Sequence, residues 1–168
     1  MIEQVLHPRN LERALRQVKV NKGSAGIDGM STDQLNKYLK TQKSTLLSEI
    51  KGNEYLPQPI LGVEIPKGGG KTRLLGIPTV IDRLMQQAVS QVMMYRFEKE
   101  FSETSYGFRP NRSARQAVQK SKEYIEMGLN YIIDIDLKTF FDEVDHCLLL
   151  NLRSEEHTSE LQSLTTIS

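Results

Sequence analysis

Residues Tyr131 to His146, "YIIDIDLKTFFDEVDH", set five acidic side chains around a pair of phenylalanines. The apolar lead-in reads as a buried strand over "NYIIDID", with helix from Lys138 onward. Asp134 and Asp136 then stand where a buried strand should avoid charge, because an ionised carboxylate away from water is costly unless a cation or donors compensate it. Residues two apart on a strand share a face, so the two acids fall on one side and Ile133 and Ile135 on the other. Carboxylates at the end of a buried strand, next to a turn, suit Mg²⁺, which takes hard oxygen ligands and keeps positions open for water and phosphate. One strand supplies too few ligands for a two-metal centre. Acids in the first turn of a helix are the plainer reading; it accounts for Asp142 and Glu143 and leaves Asp134 and Asp136 unexplained.

The 168 residues amount to one domain, and 38% apolar content suffices for a core. No stretch is long and apolar enough to span a bilayer, and "MIEQVLHPRN" lacks a signal-peptide pattern. Cys147 stands alone, which excludes an internal disulfide and fits a reducing, cytoplasmic setting. A net charge of +1 says nothing about nucleic acid, yet it hides a gradient. "FRPNRSARQAVQKSK", Phe108 to Lys122, carries three arginines and two lysines and no acid. That patch is either a phosphate footprint or an ordinary solvated helix face.

The remaining elements follow from spacing. A helix is expected over Leu11–Val20 with Asn10 as its N-cap, then a glycine-rich loop, "NKGSAGIDG". Ser31 and Gln34 form a capping box opening a helix towards Ile50, with Thr41 as a candidate break. "YLPQP" is an extended linker. "LGVEIPKGGGKTRLLGIP" reads as two short strands joined by a glycine turn. Ile81, Leu84, Met85, Ala88, Val89, Val92, Met93 and Phe97 recur at helical spacing and mark a core-facing stripe. "SYGFRP" is a loop, Asn111 or Ser113 caps a helix to about Met127, and Gly128 stops it. "GGGKT" is not a phosphate loop: the pattern needs glycine at position 65, where Ile65 stands, and a strand follows it rather than a helix. What remains is a basic hairpin tip carrying Lys67, Lys71 and Arg73.

"NKGSAGIDG", "IPKGGGKTRLLGIPTVIDRLMQQAV", "SYGFRPNRSARQAV" and "DIDLKTFFDEVDH" occur in that order. Together they resemble the amino-terminal blocks of a group II intron reverse transcriptase, or maturase; retron, diversity-generating and CRISPR-associated reverse transcriptases share some of them. The resemblance covers Asn21 to His146. It implies an α+β, right-hand polymerase fold, with residues 1–125 as fingers and 126–152 as the start of the palm. It also implies an RNA-directed DNA polymerase using Mg²⁺, intron RNA as template, a DNA primer or target and dNTPs, with no membrane partner. The rival is a maturase that binds RNA on a catalytically dead scaffold.

By the same resemblance, Asp136 is the first metal-binding aspartate and the Leu137 carbonyl a second oxygen on the metal. Phe141 lies beneath the sugar and blocks a 2′-hydroxyl, with Phe140 behind it. Lys67 and Arg73 hold the incoming triphosphate. The loop of Asn21, Lys22, Gly23, Gly26 and Gly29 braces the template, and Arg109 and Arg112 join the RNA-binding surface. The chain departs from the pattern in having no Tyr-x-Asp-Asp turn, so it is expected to be inactive alone. "RSEEHTSELQS" matches, residue for residue, the translation of a common short-read sequencing adapter. Residues 153–168 are therefore expected to be a foreign tail. Without its one arginine and three glutamates the formal charge moves from +1 to +3.

Overall fold

A computed structural model describes residues 1–137, 140–149 and 151, with all side chains there except those of residues 71, 141 and 142. The described part is a mixture of helix and strand that divides into two compact units, Met1–Ala117 and the segment from Val118 onward. The foreign-tail expectation, residues 153–168, lies outside the described residues.

In the first unit, helices α1 (Ile2–Val5), α2 (Pro8–Asn21), α3 (Leu35–Lys51) and α4 (Val80–Phe97) enclose one core. It consists of Val5, Leu6, Leu11, Ala14, Val18, Leu35, Val80, Leu84 and Ala88. Leu11, Ala14 and Val18 repeat at three and four residues along α2, which packs chiefly on α4. α2 starts two residues before the Asn10 cap expected for it. Pro8 occupies the first turn, where its missing N–H costs nothing, and His7 Nδ1 accepts from the Arg9 amide. Asn10 has a tertiary task instead. Its side-chain amide donates to the carbonyls of Val5 (2.8 Å) and Ala88 (2.9 Å), and its Oδ1 accepts from Gln91 (2.8 Å).

α3 runs unbroken through Thr41, whose hydroxyl bonds back to the Tyr38 carbonyl. Gln34 Oε1 accepts from the Ser31 amide at 2.9 Å, one half of the expected box. The stripe on α4 is only partly core. Leu84 and Ala88 are buried, Ile81, Met85 and Val92 border them, and Val89 and Phe97 are exposed. Strands β1 (Leu61–Lys67) and β2 (Lys71–Ile77) form the expected antiparallel hairpin, with Ile65 opposite Arg73 and Lys67 opposite Lys71. At its tip Gly69 and Gly70 take φ of +81° and +74°, a left-handed turn that glycine enters without strain.

Helix α5 (Ala114–Glu126) crosses the boundary between the units. Ser113 caps it, its Oγ accepting from the Gln116 amide at 3.5 Å. Gly128, at φ +90°, stops it as expected while the Leu129 amide closes onto the Tyr124 carbonyl. The expected strand over "NYIIDID" is absent: residues 130–137 make no ladder with any described residue, and Tyr131, Ile132, Ile133 and Ile135 are exposed. A strand exists only through a partner that takes its backbone hydrogen bonds, and β1 and β2 pair with each other. Helix α6 (Phe140–Glu143) follows, then a helical turn from His146 whose Leu148 amide is capped by Asp145 Oδ1 at 2.9 Å. No helix among the described residues is long and apolar enough to cross a membrane.

Candidate functional site

The hairpin ends where α4 begins, and a buried polar knot fixes that junction. Thr79 is the N-cap of α4; its hydroxyl accepts from the Asp82 amide and donates to Asp82 Oδ2 at 2.6 Å. Asp82, almost wholly buried, also accepts from the Tyr55 hydroxyl at 2.5 Å and the Gln58 amide at 3.2 Å. Three donors and the positive end of a helix compensate this carboxylate without any metal. Burial, and then the bond to Asp82, push the Tyr55 phenol well above its ordinary range. The Thr-x-x-Asp pattern is a capping-box signature, legible in the sequence just ahead of the apolar stripe that begins at Ile81.

The glycine loop is seated on this same junction. A Cβ on Gly26 would lie 2.7 Å from Thr79 Cα and 2.9 Å from the Pro78 carbonyl, so only glycine permits the approach. A Cβ on Gly23 would run into the guanidinium of Arg83, which donates to the Ser24 carbonyl at 2.5 Å. Gly26 thus serves packing against backbone, whereas Gly23 abuts only the movable end of the Arg83 side chain. Asn21, Lys22 and Gly29 remain exposed, with Asn21 Oδ1 accepting from Gln17 and Lys22 left-handed (φ 45°) at the end of α2.

Strand alternation places Lys67 and Arg73 on one face of the hairpin together with Ile65 and Val63. Glu64 falls on the other face. Both cations are exposed and make no ion pair among the described residues. A glycine-tipped ribbon with two solvated cations near its end can bind a polyphosphate, Arg through its planar fork and Lys as a point charge.

Arg109 corrects the expectation for the basic patch. Its side chain is only 5% exposed and its donors are directed inward: to Glu98 Oε1 (2.8 and 3.1 Å) and to the carbonyls of Ser102 (2.6 Å), Ser105 (3.0 Å) and Glu98 (3.4 Å). The guanidinium also lies 5.2 Å from the Phe101 ring centre. Every arm is occupied, so Arg109 holds the loop rather than a phosphate. Arg112 reaches the Glu103 carbonyl and carboxylate, both at 3.3 Å, and lies over Tyr106. That carboxylate is almost fully solvated, so the pair is weak and exchangeable.

Asp136, Leu137 and Phe140 lie in the second unit on exposed backbone. The side chain of Phe141, the expected sugar gate, lies outside those described. Among the described residues no three His, Cys, Asp or Glu side chains gather where they could share an ion. Asp134 and Asp136 offer the hard oxygens that Mg²⁺ prefers but do not by themselves make a site.

Comparison with known proteins gives these residues their context. The sequence profile described as reverse transcriptase (RNA-dependent DNA polymerase) matches residues 65–165, from within β1 past Asp136 and into the segment read as foreign. The protein YkfC of Escherichia coli K12 is 35% identical over 156 residues, covering 89% of this chain and 41% of that protein. The group II intron-encoded protein LtrA of Lactococcus lactis subsp. cremoris is 32% identical over 149 residues, covering 88% and 24%. The putative COX1/OXI3 intron 2 protein of Saccharomyces cerevisiae is 32% identical over 138 residues, covering 81% and 15%. The chain therefore spans less than half the length of these relatives. With a hairpin of solvated cations, an Asp-x-Asp segment and a profile that runs through both, it belongs to the reverse transcriptase family.

Proposed function

We propose that this chain is part of an RNA-directed DNA polymerase encoded by a group II intron, which also assists splicing of its intron RNA. In this reading the fold is a right hand, with residues 1–125 as fingers and 126–152 as the start of the palm. One observation carries the reading: Lys67 and Arg73 sit solvated on a single hairpin face, inside a reverse transcriptase match that extends to Asp136. They would take the triphosphate of the incoming dNTP, with Phe141, backed by Phe140, below its sugar. The exposed part of the glycine loop, Asn21, Lys22 and Gly29, would brace the template. Reverse transcriptases generally use divalent metal ions; Asp136 and the Leu137 carbonyl are the oxygens this chain would offer, and further carboxylates are needed to complete such a site.

The test is primer extension by the longer parent protein on an RNA template. Asp136→Ala should abolish synthesis while RNA binding survives. Lys67→Ala and Arg73→Ala should each raise the KM for dNTP by about 10- to 150-fold, the loss of one charge-assisted contact of about 1.5–3 kcal/mol. Synthesis that persists in Asp136→Ala, or an unchanged KM in both hairpin variants, overturns the assignment.

A further inference from the structure

Phe108 is the residue that the described fold explains least. The residue is fully exposed, and its backbone takes φ +56°, a left-handed conformation that bulky side chains rarely adopt. Both features are unfavourable: an apolar ring in water and a strained backbone. Glycine or asparagine at this position would avoid both. The strain is held in place by the next residue, Arg109, whose guanidinium is locked beneath the loop by Glu98 and three carbonyls. With its neighbour anchored inward, Phe108 is held outward on a fixed mount.

The neighbourhood indicates what would use such a ring. Arg112 follows four residues later, lying over Tyr106 and bonded to the Glu103 carbonyl and to a Glu103 carboxylate that is almost fully solvated and exchangeable. Arg115, the second residue of α5, is exposed and makes no ion pair among the described residues. An aromatic face beside cations that can reach phosphate, Arg115 directly and Arg112 by exchanging Glu103, is how proteins bind single-stranded nucleic acid without reading its sequence.

We propose that Phe108 is a stacking platform for one base of a bound single strand, with Arg109 as its positioning residue and Arg112 and Arg115 meeting the flanking phosphates. The proposal rests on the nucleic-acid reading above and assigns that reading a contact of its own.

The chain contains no tryptophan, so Phe108→Trp introduces a sole tryptophan at the platform, excited selectively over the tyrosines. The probes are a labelled 12-nucleotide single-stranded RNA and an abasic strand of the same length, titrated into the whole chain at low salt. The expected result is quenching of Phe108→Trp by the RNA but not by the abasic strand. Phe108→Ala should weaken RNA binding by fivefold or more, the lower end of what one stacked base contributes, and leave abasic binding unchanged. Phe108→Gly should weaken RNA binding equally while raising the melting temperature, because glycine relieves the strained backbone; a merely structural phenylalanine would lower it.

RNA that binds the chain by anisotropy without quenching the tryptophan, or a Phe108→Gly variant that melts earlier, overturns the platform and leaves the polymerase reading standing. Failure of both strands to bind overturns the platform and removes this surface from the polymerase reading as well.

Discussion

Asp82 and Asp136 both follow apolar residues in the sequence, and their surroundings in the fold differ completely. Asp82 lies within three residues of its cap partner Thr79, and a tyrosine and a backbone amide from the preceding linker complete its shell. Asp136 sits on a backbone with no paired strand. One carboxylate is compensated by the chain that carries it. The other answers to groups that the described residues do not supply. Asp82 builds structure, since it makes its own region stable; Asp136 has no such work among the described residues.

Denaturant unfolding of single variants can break or sharpen this contrast. The largest effect is expected for Asp82→Ala, which leaves the Tyr55 and Thr79 hydroxyls and the Gln58 amide without their acceptor in a buried place; about 3–4 kcal/mol should be lost. A loss below about 1 kcal/mol would mean that water reaches the knot and that Asp82 differs little from Asp136.

Arg109→Ala comes next, at about 2–3 kcal/mol. It uncovers Glu98, which is one-third exposed, and the loop can open locally without unfolding the helices. Limited proteolysis should then cut first between Glu98 and Arg112. Arg109→Lys, which cannot reproduce the fork, should recover only part of the loss.

A smaller effect depends on pH. The Tyr55 phenol titrates higher in the folded chain than its ordinary value of 10.0. The folded state therefore holds this proton after the unfolded state has released it. The stability this confers is complete below about pH 10 and is lost as pH rises from there towards the folded value. Tyr55→Phe should flatten the alkaline limb of the stability profile; an unchanged limb would remove Tyr55 from the account. The smallest effect is expected at Asp136→Ala, which should stay within about 0.5 kcal/mol of the parent chain. A larger loss there would collapse the distinction between the two acids.

Features with local causes were legible in the sequence. The hairpin, its glycine tip and the Gly128 stop are decided by neighbours within a few residues, and they stand as expected. Asn10 was misassigned because a residue that looks like a helix cap can equally bond a carbonyl 78 positions away. Arg109 hides its partner for a related reason: an arginine in an acid-free run gives no sign that Glu98, eleven residues upstream, engages it. The strand over residues 130–136 has the right composition, but strand character is completed by pairing and cannot be carried by one segment. The glycine loop was seen as a unit, whereas the division of labour inside it required the position of α4.

The seat of Gly26 on Pro78 and Thr79 has a mechanical consequence. The loop, the first turn of α4 and the root of the hairpin meet at one place, where the chain is fixed by close backbone contact and a buried carboxylate. Beyond that place the hairpin extends as a bare ribbon of seven residues per strand, roughly 23 Å at the usual rise. Such a ribbon is a lever with its fulcrum at Thr79. A rotation of about 10° at the root carries Lys67 and the glycine tip through about 4 Å, more than one hydrogen-bond length. Reach at the tip is therefore set by stiffness at the base, and whatever presses on the glycine loop presses on the fulcrum.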